Sequence, residues 1–169
     1  EKYIMPGYHK NEVYALLNDK DIPYEAVEHE AVFTMEEMER AGIDAHGCIC
    51  KNLFLTDRCR TTDYLLLMPG EKRFSTREFS HLIGSSRLSF APEEDLLRLL
   101  DLTPGSVSVL GLMNDRDNRV TLYIDDDVLA YDGFGCHPCI NTSSLRLRTK
   151  DLIEKILPAV EHDFIRVKL

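Results

Sequence analysis

The 169-residue sequence contains no apolar run long enough to cross a bilayer, so no membrane partner is expected. Its first residues, Glu1 to Gly7, lack the basic and apolar regions of a secretory signal, and a cytoplasmic protein is the expectation. No repeat, low-complexity tract or linker interrupts it. Residues 1–169 are therefore expected to form a single domain, long enough to bury a core without staples. Positive charge is scarce: 20 Lys and Arg stand against 29 Asp and Glu, a net charge of −9. That balance argues against coating nucleic acid through its phosphates, and no DNA partner is expected. A local basic patch over one small site is still compatible with it. Arg116, Arg119, Arg146, Arg148 and Lys150 could form one, the alternative being a solvated mixed-charge face. Also missing are a Walker loop, a dinucleotide fingerprint, a zinc-protease helix and a Gly-x-Ser-x-Gly elbow.

What is present is a soluble mixture, 44% hydrophobic and 29% charged. Its 5 cysteines, an odd number, read as reduced thiols. His9 to Asp19 carries Val13, Leu16 and Leu17 on one helical face. Tyr24 to Glu28 reads as a strand after the break at Pro23. Thr34 and Glu37 form a capping box for a helix from Met35 to Ala41, and Ser75 and Glu78 form another for a helix ending near Gly84. Pro92 and the acids after it open a helix with a buried face of Leu96, Leu97, Leu99 and Leu100. Strands are expected at Cys48–Thr56, Tyr64–Met68, Val107–Met113 and Val120–Ile124, all in one sheet. A further strand is expected within Asn141–Arg148. Thr149 should cap a helix from Lys150 to Leu157, stopped by Pro158, and Phe164–Val167 should close the chain as a strand. Hairpin-like pairs without strict βαβ alternation favour an α+β fold, a mixed and largely antiparallel sheet surrounded by helices.

Three segments could carry chemistry. Lys51 stands in an otherwise largely apolar strand, so it points either to solvent or into a pocket that holds an anion. Its neighbour Asn52 must face the other side of a regular strand. Pro104-Gly105-Ser106-Val107 is either a plain turn or a place where free backbone N–H groups can stabilise an oxyanion. Gly133-Phe134-Gly135-Cys136-His137-Pro138, followed by Asn141-Thr142, combines glycines that allow close backbone approach with a histidine held extended before proline.

In this order the segments resemble the YbaK-type family of aminoacyl-tRNA deacylases, which includes the editing domain inserted in bacterial prolyl-tRNA synthetase and its freestanding relatives. The likeness runs through Lys51-Asn52-Leu53-Phe54-Leu55, Arg87-Leu88-Ser89-Phe90-Ala91 and Pro104-Gly105-Ser106-Val107-Ser108. It continues through Gly111-Leu112-Met113-Asn114-Asp115 and Gly135-Cys136-His137-Pro138 to Asn141-Thr142, the last two being similar to the alanine-specific freestanding branch. The resemblance implies hydrolysis of an amino acid, alanine above all, from tRNA for proline, with the tRNA acceptor end as partner and no metal or other cofactor. It implies that Lys51 holds the phosphate or sugar end as a point charge. It implies that Asn52 and His137 orient the ribose and aminoacyl group, and that backbone N–H groups of Gly105, Ser106 and Val107 receive the oxyanion. Asn114, Pro138, Asn141 and Thr142 would complete the substrate contacts. A pocket sized for a methyl group would act as a second sieve against proline. The family's loop commonly runs Gly-x-x-x-Pro; Val109 occupies that proline position here, which implies a less rigid loop.

Two other readings stay open on sequence. One is a metal or redox site built from Cys48, Cys50, Cys136, His137 and Cys139. The other is a non-catalytic module that senses aminoacyl-tRNA or a free amino acid.

Overall fold

The computed structural model describes residues 8–30, 36 and 48–169. Apart from Glu36, the helix expected from Met35 to Ala41 and its capping box lie outside the described residues.

Strands β1 (Tyr24–Glu28), β2 (Cys48–Thr56), β3 (Asp63–Pro69), β4 (Ser89–Phe90), β5 (Val120–Asp125), β6 (Gly133–Cys136), β7 (Ser143–Arg148) and β8 (Ile165–Val167) form one mixed sheet. Its order is β1-β7-β6-β2-β3-β5-β8, with β4 added beside β2. The pairs β1–β7, β6–β7, β2–β3 and β2–β4 are antiparallel; β2–β6, β3–β5 and β5–β8 are parallel. The α+β expectation thus holds, with more parallel pairing than hairpin-like sequence signals convey.

Side-chain alternation along β2 and β3 divides the interior between two cores. Cys50 and Phe54 join Leu65, Leu67, Leu122 and Ile124 in the larger one. Leu55 joins Leu66, Met68, Phe79 and Leu88 in the smaller one. Helix α1 (Tyr8–Asp19) contributes Val13 and Leu17 to the larger core, and α3 (Glu93–Leu100) contributes Leu96, Leu99 and Leu100. Leu97, expected in that buried face, is instead exposed. Helix α2 (Thr76–Ile83) covers the smaller core with Phe79. The expected cap is present there: Ser75 Oγ accepts from the Glu78 N–H, and Gly84 ends the helix at φ 70°, a left-handed conformation that glycine adopts without penalty. A short helix α4 (Asp126–Leu129) follows β5, capped by Asp125.

Two expected elements are different. The segment expected as a strand at Val107–Met113 is a 3₁₀ helix over Val109–Asn114 and belongs to no sheet. Its apolar residues are buried as the strand reading required, but its backbone donors are held locally. Ser108 Oγ accepts from Leu110 N–H at 3.2 Å, and Ser108 carbonyl accepts from Gly111 N–H at 2.9 Å. A serine that satisfies the first turn in this way competes with ladder pairing. Gly111 lets that turn lie against Leu102, whose Cδ1 would be 2.6 Å from an added Cβ.

The last helix also departs from expectation, because Pro158 lies inside it. The helix runs Thr149–Asp151, passes through a π-helical turn at Leu152–Ile156 and continues over Leu157–Ala159. Leu157 donates its N–H to the carbonyl of Leu152, five residues back. A proline ring clashes with the carbonyl four residues earlier in a regular helix, and the wider turn relieves that clash.

Candidate functional site

Strand β2 sits between β6 and β3, and its alternation sends Lys51 and Asn52 to opposite faces. On the larger-core side, Asn52 Oδ1 accepts from the Val109 backbone N–H at 2.9 Å. Asn52 is thereby joined to the glycine loop that precedes the 3₁₀ helix. That loop is a tight turn in which Thr103 carbonyl accepts from Ser106 N–H at 3.1 Å. Pro104 and Gly105 are its central residues, with Gly105 at φ 85°, the positive value that the third position of a type II turn requires. Ser106 N–H is therefore engaged in the turn itself. The N–H groups of Gly105, Val107 and Ser108 have no hydrogen-bond acceptor among the described residues. Val109 does not leave the loop loose: its N–H, which the family's proline would lack, is the one Asn52 holds.

Lys51 lies on the smaller-core side, half-buried, and donates to the backbone carbonyl of Lys72. Its desolvation lowers the ammonium pKa from the ordinary lysine value. No carboxylate pairs with it among the described residues. Lys72 is itself tied down: its ammonium meets the fully buried Asp125 carboxylate at 2.8 Å and Asp127 at 2.7 Å. The carbonyl that receives Lys51 thus belongs to a turn fixed by an ion pair. Lys51 lines a cleft of about 730 Å³ together with Leu53, Phe74 and Phe90, with Arg73 and with the first turn of α2.

His137 follows β6, half-buried, with Nδ1 2.8 Å from the Ser143 carbonyl, so Nδ1 carries the proton. Burial lowers its pKa below the ordinary histidine value, and the carbonyl partly opposes this. Its ring centroid is 6.2 Å from that of His29. His29 was not singled out in the sequence. Its Nε2 is 2.8 Å from Ser144 Oγ, its Nδ1 is 2.6 Å from the Glu30 carbonyl, and its backbone N–H donates to the Thr142 carbonyl at 2.9 Å. A histidine directly after a predicted strand was the available signal. Thr142 thus ties the His137 segment to the end of β1; Pro138 is buried and Asn141 is half-buried. Asn114 turns its amide to the Leu100 carbonyl at 2.8 Å, closing the end of α3.

The parallel pairing Ile49↔Gly135 sets the start of β2 beside the end of β6. The described contacts thus join Asn52 to the glycine loop and His137 to His29. Cys136 comes near the loop too: burial pushes its thiol pKa up to about 12, and the neighbouring Ser108 hydroxyl partly opposes this. Cys139, also buried, is shifted the same way. Buried thiols of that kind are poorly ionised and so poor nucleophiles. Among the described residues, no three His, Cys, Asp or Glu side chains converge as a metal site.

The family model described as the aminoacyl-tRNA editing domain matches residues 29–155. Prolyl-tRNA editing protein ProX of Acetoanaerobium sticklandii is 35% identical over 160 residues, covering 95% of this chain and 97% of that protein. Prolyl-tRNA synthetase associated domain-containing protein 1 of Danio rerio is 29% identical over 155 residues, 90% of this chain and 83% of its own. The crystal structure of a candidate trans-editing enzyme for prolyl-tRNA synthetase superposes with a TM-score of 0.69 at 20% identity, over 98% of this chain and 99% of that one. At that identity, the likeness speaks for the fold.

Proposed function

The chain belongs to the aminoacyl-tRNA editing domain family, and from that premise we propose that it is a deacylase that hydrolyses alanine from mischarged tRNA for proline. What supports the reading most is that Asn52, from the motif strand, holds the backbone of the glycine loop at Val109 N–H. Two of the segments in the family likeness are thereby one mechanical unit, although 57 residues separate them.

The reaction breaks the ester between the aminoacyl carbonyl carbon and a terminal ribose oxygen. Water adds to that carbon, and negative charge collects on the carbonyl oxygen. The N–H groups of Gly105 and Val107 are the donors available to that charge; Ser106 contributes by holding the turn. The intermediate collapses with the ribose oxygen as leaving group, and the proton lost by water returns to it. His137, its Nδ1 proton directed at Ser143, presents Nε2 as the remaining polar atom for the ribose or the amino group. Lys51 supplies a positive charge for the RNA end, with a lowered cost of leaving water because it is already half-desolvated. Asn114, Pro138, Asn141 and Thr142 support the surrounding surface. A methyl-sized pocket would reject a pyrrolidine ring by overpacking, at about 1–3 kcal/mol.

The test is deacylation of Ala-, Ser-, Cys- and Pro-charged tRNA for proline by the purified protein. Rapid loss of alanine with proline spared is expected. Equal hydrolysis of Pro-tRNA would remove the alanine specificity, and no hydrolysis of any substrate would leave a binding module.

A further inference from the structure

We propose that the cleft beside Lys51 binds the single-stranded RNA nucleotides that precede the esterified one, by stacking a base on Phe90 and holding a phosphate between Lys51 and Arg73. The proposal rests on the deacylase reading and extends it to a surface that the chemistry itself does not require.

Three observations converge. The first is an exposed aromatic ring in a concave surface. Phe90 is 58% exposed although it lies on β4, edge-on to Phe74 at 6.1 Å. Phe74 in turn packs on the buried Phe79 at 5.9 Å, so the platform is braced from behind. An open ring on a rigid wall is what a nucleobase uses, and every base has a face to offer it. The second is unneutralised positive charge in an acidic chain. Ten of the 18 described Lys and Arg side chains pair with carboxylates, among them Arg60 with Asp95, Arg148 with Asp151 and Arg166 with Asp126. Lys51 and Arg73, both lining the cleft, have no such partner among the described residues. The third is the first turn of α2, which also lines the cleft through Ser75 and Thr76. Its leading N–H groups have no partner within the helix and favour an anion. Glu78 lines the cleft as well, and its negative charge favours a phosphate held by Lys51 and Arg73 over one held at the helix end.

The volume, about 730 Å³, suits one or two nucleotides and not a duplex. A purely apolar protein partner would not call for two cations without carboxylate partners in the same cleft, and a free phosphate would not call for the ring. Single-stranded RNA uses both.

The experiment combines binding and kinetics on the full chain. A fluorescein-labelled single-stranded RNA pentamer ending in CCA is titrated by anisotropy against wild type, Phe90→Ala, Phe90→Tyr and Arg73→Ala. Phe90→Ala is expected to weaken binding by about 5-fold or more, given roughly 1–3 kcal/mol per stacked base. Phe90→Tyr should restore it, and Arg73→Ala should weaken it while flattening its salt dependence. In deacylation, Phe90→Ala should raise KM by a similar factor and leave kcat within about 2-fold. Unchanged affinity and KM in both alanine variants would overturn the proposal and leave the exposed ring to a protein partner. AMP binding as tightly as the pentamer, or a blunt RNA duplex competing equally, would overturn it as well. A wild type that binds the pentamer through Phe90 yet hydrolyses no mischarged tRNA would sink the deacylase reading and spare the cleft.

Discussion

Replacing Val109 with proline restores the residue that the family's loop commonly carries, and the structure says that it should hurt. Ser108 is at φ −147° and ψ 145°, the extended conformation that a residue before proline must adopt. Val109 opens the 3₁₀ helix, a position where proline's fixed φ is tolerated. The backbone therefore accepts the ring, and the stiffer unfolded chain contributes about 0.4–1 kcal/mol in favour of the variant. The loss is the Val109 N–H that Asn52 holds at 2.9 Å. One such bond contributes about 0.5–1.5 kcal/mol, and an oxygen left without a donor costs about 1–3 kcal/mol where water cannot reach it. Asn52 is half-buried, so the lower part of that range applies, and a net destabilisation of about 0.5–1 kcal/mol is expected. For a chain of this length, that is a fall in Tm of about 1–4 °C. The decisive form is a double-mutant cycle with Asn52→Ala, read by thermal unfolding. In the Asn52→Ala background the oxygen is already gone, and proline should be neutral or stabilising. The coupling should be about 1 kcal/mol. Additive effects, with proline raising Tm equally in both backgrounds, would refute the claim that Asn52 ties the loop.

The remaining expectations are simpler. Lys51→Ala should lower kcat/KM on Ala-tRNA by about tenfold or more, and Lys51→Arg should rescue it only in part, because a planar guanidinium does not fit where one ammonium bonds the Lys72 carbonyl. Full activity in Lys51→Ala would remove that lysine from the site. Gly111→Ala sets a Cβ 2.6 Å from a Leu102 methyl in the larger core and should cost about 1–3 kcal/mol, measured by denaturant unfolding. For pH, burial lowers the His137 pKa, so the unfolded chain binds its proton first on acidification. Stability linked to this group is complete above the ordinary value of about 6.5 and is lost as pH falls from there toward the folded value. The slope of Tm against pH in that window should flatten in His137→Asn; an unchanged slope would assign it to other groups.

The sequence made helices legible where caps and periodicity agreed, as at Ser75–Gly84, and strands where turn residues bounded them, as at β2 and β3. It misled at Val109–Asn114 because a buried apolar run has the same composition in a strand and in a 3₁₀ helix. What separates them is the local bond from Ser108 Oγ, invisible without coordinates. Pro158 misled for a related reason: a proline signals that the regular ladder fails, but not whether the chain stops or widens by one residue. At the candidate site, residue types were readable and relations were not. Lys51 and Asn52 are adjacent in sequence, yet alternation sends one to a cleft and the other to a loop. His29 escaped notice because its connection to Ser144 spans 115 residues.

That long span also sets a clock. Among the described residues β1 has its sheet partner in β7 alone, and β2 meets β6 only after the intervening hairpin, helices and β5 exist. On a growing chain, β1 must wait while 115 residues are added, roughly 6–23 s at ribosomal rates of about 5–20 residues per second. During that interval the β2–β3 hairpin can form, but the His29–Ser144 contact and the parallel step to β6 cannot. Non-local pairing of this kind slows folding because loops must close before contacts reward them. A ribosome-bound chain halted before Ser143 should therefore leave Tyr24–Glu28 open to protease, and one released beyond Arg148 should protect it in a single late step.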